Sequence, residues 1–183
     1  MRLFVAGVVM AMGLSAGCGW ASEQVFGDNT ARVCFEVSIS KRTDANAVHL
    51  CDVALENPLM TPDERGGALV NRGVIRMRRG ELAAAQGDFD LAMPMIPNSS
   101  EAHFNRGAVL VGEHRYKDAL DDLDKAIALG VRELAKAYYF RGLAHDYLED
   151  EPAAYRDYKQ AQTLAPEWDL PTHELKRFTV KPK

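Results

Sequence analysis

The stretch 105–126, NRGAVLVGEHRYKDALDDLDKA, decides the fold. It opens on Asn105-Arg106-Gly107, and related triplets stand at Asn71-Arg72-Gly73 and Phe140-Arg141-Gly142, at steps of 34 and 35 residues. Each glycine is followed at 12 residues by an alanine (Ala85, Ala119, Ala154), at 16 by a large apolar residue (Phe89, Leu123, Tyr158) and at 19 by a second alanine (Ala92, Ala126, Ala161). Self-similarity at such a period is the signature of stacked supersecondary units.

Each unit reads as two helices. Thr61-Pro62-Asp63-Glu64 forms a capping box with proline at the first helical position, so helix A of the first unit starts there and runs to about Arg79, where Gly80 breaks it. Helix B follows from about Leu82 to Met95. The other units give roughly 99–113 with 116–129, and 132–148 with 152–165, and the short turns at 113–115 and 149–151 force antiparallel hairpins. Gly73, Gly107 and Gly142 let helix A approach the alanines of helix B closely, and Phe89, Leu123 and Tyr158 fill the space between. Each hairpin leaves an apolar face open, so stacking is what stabilises the array.

These residues resemble the tetratricopeptide repeat (TPR) family over roughly 66–166. Departures are visible: the family's large aromatic at position 4 is Leu69, His103 and Tyr138 here, its position 7 leucine is arginine throughout, and its closing proline is present at Pro97 and Pro166 but is Val131 in the second unit. The fold class expected is all-α, an α-solenoid of three TPR units (about 66–99, 100–133 and 135–168) with a degenerate helical hairpin inside 22–60 and a capping helix inside 167–183.

An arginine at position 7 needs a partner in an apolar interface. Sixteen residues after each lies an aspartate, which an antiparallel hairpin brings opposite, so ion pairs are expected between Arg72 and Asp88, Arg106 and Asp122, and Arg141 and Asp157. A row of arginines gripping an anionic ligand is the alternative. Upstream, Ala47, Cys51 and Ala54 carry the helix B spacing, and counting back places Cys34 at position 7 and Phe35 at position 8, with Lys41–Thr43 as the turn and Asp44 as the helix B cap. A disulfide between Cys34 and Cys51 is therefore expected, worth about 3 kcal/mol in the chain-entropy model; two buried thiols are the alternative. Redox catalysis is not expected, since no Cys-x-x-Cys is present.

The ends carry other signals. Residues 1–21 have one charged side chain, Arg2, then the apolar run Leu3–Gly17 and small residues at Gly19 and Ala21, the layout of a secretory signal peptide cut before Ser22. That run is short of the ~20 residues a membrane span needs. Leu14 to Cys18 also resembles a lipoprotein box, with Ser15 where the best versions have leucine, so acylation of Cys18 is the second route. The chain is expected to be exported and periplasmic or secreted, and tied to a membrane only if Cys18 is lipidated. Trp168, Leu170, Leu175 and Phe178 form the apolar set of the capping helix, and the tail 179–183 is expected to be loose.

Chemistry is sparse. The five histidines show no metal-binding spacing, and there is no nucleophile elbow, P-loop or dinucleotide fingerprint, so no enzyme, metal or cofactor is expected. With 47% apolar and 26% charged residues, net charge -4 and no run of five or six like charges, the composition is globular and unsuited to nucleic acid. Surface remains. The resemblance implies a protein or peptide partner on the concave face at repeat positions 2, 5, 9, 12 and 13: Gly67, Val70, Val74, Met77 and Arg78; Glu101, Phe104, Ala108, Val111 and Gly112; Lys136, Tyr139, Leu143, Asp146 and Tyr147. This stripe is largely apolar and something must cover it, either a partner held by Phe104, Tyr139 and Tyr147 with Arg78 and Lys136 supplying charge, or the N-terminal segment or self-packing. The carboxylate clamp of chaperone-binding relatives needs Lys and Asn where this chain has Val70, Val74 and Ala108, and is not expected.

Overall fold

The computed structural model describes residues 29–178, so the signal-peptide and lipoprotein readings at 1–21 and the tail at 179–183 lie outside the described residues. Among the described residues there are nine helices and no strands: α1 (Thr30–Ile39), α2 (Ala45–Glu56), α3 (Pro62–Arg78), α4 (Leu82–Ala92), α5 (Ser100–Gly112), α6 (Tyr116–Ala128), α7 (Leu134–Tyr147), α8 (Glu151–Leu164) and α9 (Asp169–Leu175). None is long and apolar enough to cross a membrane.

The helix starts follow local chemistry. Thr61 accepts the Glu64 backbone N–H at 3.2 Å while the Glu64 carboxylate accepts the Thr61 N–H at 2.9 Å, and Asp44, Ser99 and Asp150 cap α2, α5 and α8 by accepting from the backbone N–H three residues on. The α4 helix stops at Ala92, three residues short of the expected Met95, because Pro94 has no N–H and crowds the preceding turn.

Helices pair as α1/α2, α3/α4, α5/α6 and α7/α8, and each second helix packs on the first helix of the next pair, ending with α9 on α8. The first helices also touch along the stack, α1 with α3, α3 with α5 and α5 with α7, whereas the second helices make no comparable mutual contact. A stack whose first helices crowd together and whose second helices spread apart curves with α1, α3, α5 and α7 on its inner side. The cores lie between the helices of each pair: Phe89, Leu123 and Tyr158 are fully buried, and a Cβ built on Gly73, Gly107 or Gly142 would sit 2.5, 2.8 or 2.9 Å from their side-chain atoms.

The first pair corrects a register. In each of the four pairs a residue in the left-handed region lies two places after the end of the first helix: Lys41, Gly80, His114 and Glu149. This makes Ile39 the counterpart of Arg78, Gly112 and Tyr147, and Cys34, not Phe35, the counterpart of Gly73, Gly107 and Gly142. Counting back from α2 misplaced them by one because the α1–α2 connection is longer than the three-residue turns of the other pairs. Cys34 and Cys51 are both fully buried and joined by a disulfide, with Cα atoms 4.6 Å apart.

Candidate binding face

Each arginine of the Asn/Phe-Arg-Gly triplets is gripped from two sides. Arg72 Nη2 lies 2.6 Å from Asp88 Oδ1, Arg106 Nε 2.6 Å from Asp122 Oδ2, and Arg141 Nη2 2.7 Å from Asp157 Oδ1. These aspartates are at most 5% exposed. The remaining Nη1 reaches back to the preceding pair: Arg72 to Asp52 at 2.7 Å, Arg106 to Asp90 at 3.0 Å and Arg141 to Asp124 at 2.7 Å. The ladder thus stitches every pair to the next, a role sequence reading missed. Its signal was an aspartate directly after Cys51, Phe89 and Leu123. Hydrogen bonds donated to Asp122 and Asp157 raise the Arg106 and Arg141 guanidinium groups above their ordinary value, against burial. For Arg72 burial opposes, and Asp88 and Asp52 together still raise it. With Arg72, Arg106 and Arg141 each paired inside the fold, they are not left as a row of free guanidinium groups for an anion.

Two position 4 residues join the ladder. His103, buried, sits 2.9 Å through Nδ1 from Asp122 and 3.1 Å through Nε2 from the Pro97 carbonyl, and Tyr138 lies under the Arg141 guanidinium at 5.2 Å. A 260 Å³ cleft lined by Gln86, Asp90, Arg106, Arg115, Asp118 and Asp121 lies among these charges, which largely satisfy one another.

The inner face is only partly the expected one. Val70, Phe104, Val111 and Tyr139 are buried, each 8% exposed or less, and do not belong to an open surface. Phe104 packs edge-on against Phe140, with centroids 6.0 Å apart, and Tyr139 is enclosed by Tyr158 and Trp168. Burial, then the Glu174 charge, pushes the Tyr139 hydroxyl up. The reason is the curvature: first helices that touch one another enclose the position 5 side chains between them, and α9 closes over the last. Asp146 is also taken, receiving Tyr158 Oη at 3.2 Å and the Arg177 guanidinium. The Arg78 side chain donates to the Ser38 carbonyl and ties α3 to α1. Lys136 is paired to Glu133 at 2.6 Å and lines a separate cleft.

Val74, Met77, Ala108 and Leu143 remain half-buried along the inner row, and Tyr147 is 63% exposed, stacked on Tyr116 at 4.6 Å. The corrected register adds Phe35, the counterpart of Val74, Ala108 and Leu143, and Ile39, the counterpart of Tyr147; they are 47% and 57% exposed. An accessible apolar row therefore runs along the inner side from α1 to α7.

Comparison with solved structures supports the architecture. MamA 41-end from Desulfovibrio magneticus RS-1 is similar with a TM-score of 0.67 and 24% identity over 81% of this chain and 82% of that one. The fold is a TPR-type helical solenoid. YrrB, described as a TPR protein with an unusual peptide-binding site, is similar at 0.65 and 21% identity, over 81% of this chain and 76% of that one. The first TPR of Spaghetti (RPAP3), solved bound to the HSP90 peptide SRMEEVD, is similar at 0.59 and 24% identity, over 65% of this chain and 94% of that one. In sequence, the chain is 34% identical over 95 residues to the Hsp70-Hsp90 organizing protein of Triticum aestivum, a match spanning 52% of this chain and only 16% of that protein. No family model matches the chain.

Proposed function

We propose that the protein is a non-catalytic interaction module that binds an apolar peptide or helix of a partner protein along the inner row of its solenoid. The observation that carries this reading is the accessible apolar row of Phe35, Ile39, Val74, Ala108, Leu143 and Tyr147, which recurs at equivalent positions of the first helices. That TPR-type neighbours are solved with, or described by, bound peptides supports the kind of partner. An acidic chaperone tail is not the partner chemistry favoured, because Val74 and Ala108 offer no donor to a carboxylate and the arginines are engaged in the ladder.

The site of action belonging to this reading is the bacterial periplasm or envelope. The signal-peptide pattern of 1–21 and the Cys34–Cys51 disulfide, which persists in oxidising compartments, both favour export. The Leu14–Cys18 box favours a lipid-anchored variant, an accessory of an envelope assembly or secretion machine, distinguished by the mass of the mature N-terminus.

Affinity capture from envelope extract, comparing wild type with the double variant Ile39→Glu and Tyr147→Glu, tests the face. Both side chains are exposed, so the melting temperature is expected to hold while recovery of the principal partner falls at least tenfold. Equal recovery by the two proteins would remove the inner row as the binding face.

A further inference from the structure

A second cleft, of about 420 Å³, opens at the edge of the third repeat between the start of α7 and the end of α8. Its walls are Leu134, Ala135, Leu164, Ala165 and Trp168, and its rim carries Arg132, Glu133 and Lys136. Leu164 is 43% exposed, and the Trp168 ring is braced from behind by Tyr139 at 4.8 Å. The volume lies within the range of small ligand sites and suits one large side chain with its flanking backbone.

The repeat itself shows what such a notch accepts. In the first repeat the counterpart of Ala165 is Ile96, whose branched side chain folds over the counterpart of Ala135, Gly66, so closely that a Cβ built there would meet it at 3.0 Å. The third repeat has alanine at the filling position, which leaves the notch open, and Ala135 on its floor, whose Cβ would press on a group seated as Ile96 is, so an occupant sits a few tenths of an ångström farther out. The rim chooses the flanking chemistry: Lys136 and Glu133 neutralise each other at 2.6 Å, and Arg132, exposed, has no acidic partner among the described residues. The chain's own last five residues carry Lys181 and Lys183, of the same sign as Arg132, and are not complementary to this rim.

We infer that this cleft is a second docking site, separate from the inner row, for a protein segment that inserts a branched aliphatic side chain flanked by carboxylates. The aliphatic group rests on Ala135, a little farther out than Ile96 sits over Gly66 in the first repeat, Trp168 and Leu164 cover it, and Arg132 pairs with a neighbouring acid of the partner. The inference rests on residues other than those of the proposed function and stands or falls separately from it.

Titration of the full chain with the blocked peptide acetyl-Glu-Asp-Ile-Asp-Glu-amide, followed by the Trp168 indole N–H cross-peak, tests this. Saturable movement of that peak is expected, with at least tenfold weaker binding when the central residue is alanine or the flanking residues are lysine. The exposed substitution Arg132→Glu is expected to weaken binding at least tenfold without changing the fold, and the exposed substitution Leu164→Glu to abolish the movement by setting a carboxylate where the apolar cover stood. No saturable movement, equal affinity of Arg132→Glu and wild type, or perturbation confined to Val74, Ala108 and Leu143 would each overturn the inference. So would movement of the Trp168 peak with protein concentration alone, which would make a second copy the occupant.

Discussion

Arg106 is held by two carboxylates that differ greatly in what their loss costs. Asp122 is 3% exposed, so removing it leaves the guanidinium and His103 facing an unfilled polar site; the Asp90 side chain is 49% exposed and solvent replaces it readily. Asp122→Ala is expected to destabilise by about 3 kcal/mol, the lower end for breaking a buried pair whose partner is partly solvated, and Asp90→Ala by under ~1 kcal/mol. Urea midpoints at unchanged slope measure both; equal costs would contradict the division into an inner grip and an outer stitch. The inner partners were legible in the sequence because a hairpin of constant length holds Arg and Asp at one spacing. The outer partners were not, because Asp52, Asp90 and Asp124 precede their arginines by 20, 16 and 17 residues, distances set by how successive pairs dock.

At the scale of one hairpin, small residues decide how closely two helices approach, and two glycines separate that effect from helix propensity. Gly73 faces Phe89, where a Cβ would lie 2.5 Å from Cε1, while a Cβ on Gly87 meets nothing within 4 Å. Both lie inside helices, so replacement by alanine gains similar propensity, about 0.5–1 kcal/mol. Gly73→Ala is expected to lose more than this through overpacking, by about 1–3 kcal/mol, and Gly87→Ala to keep the gain, so their melting temperatures should move in opposite directions from wild type. A drop in both would argue against close approach as the reason for the glycine. The three full hairpins were legible because short turns and the helix A glycines recur at the repeat period, whereas a capping box marks only the first of them, at Thr61. The first was legible as a hairpin but not in register: the Cys34–Cys51 separation of 17, against 16 for Gly73 to Phe89, comes from a longer connection that counting cannot see.

Across the whole molecule, curvature decides which residues a partner can reach. Sequence reading assigned the first helices to the inner side, but it treated that side as open at every chosen position. In the structure the first helices lean on one another, and Trp168 at the start of α9 covers Tyr139, so Val70, Phe104, Val111 and Tyr139 became core. Phe35 and Ile39, which the shifted register had hidden, stand exposed at the N-terminal end of the same row. The proposed binding face is thus displaced toward α1 and toward the ends of the first helices, marked by Ile39 and Tyr147. Placing a photo-cross-linking benzoylphenylalanine at Ile39, Tyr147, or the exposed outer-helix residues Leu91 and Asp121, and irradiating the cells that make the protein, tests this most directly. A shared adduct of shifted mass is expected from Ile39 and Tyr147 and none from Leu91 or Asp121; adducts arising from the outer positions, with the inner ones silent, would contradict a partner held on the inner face.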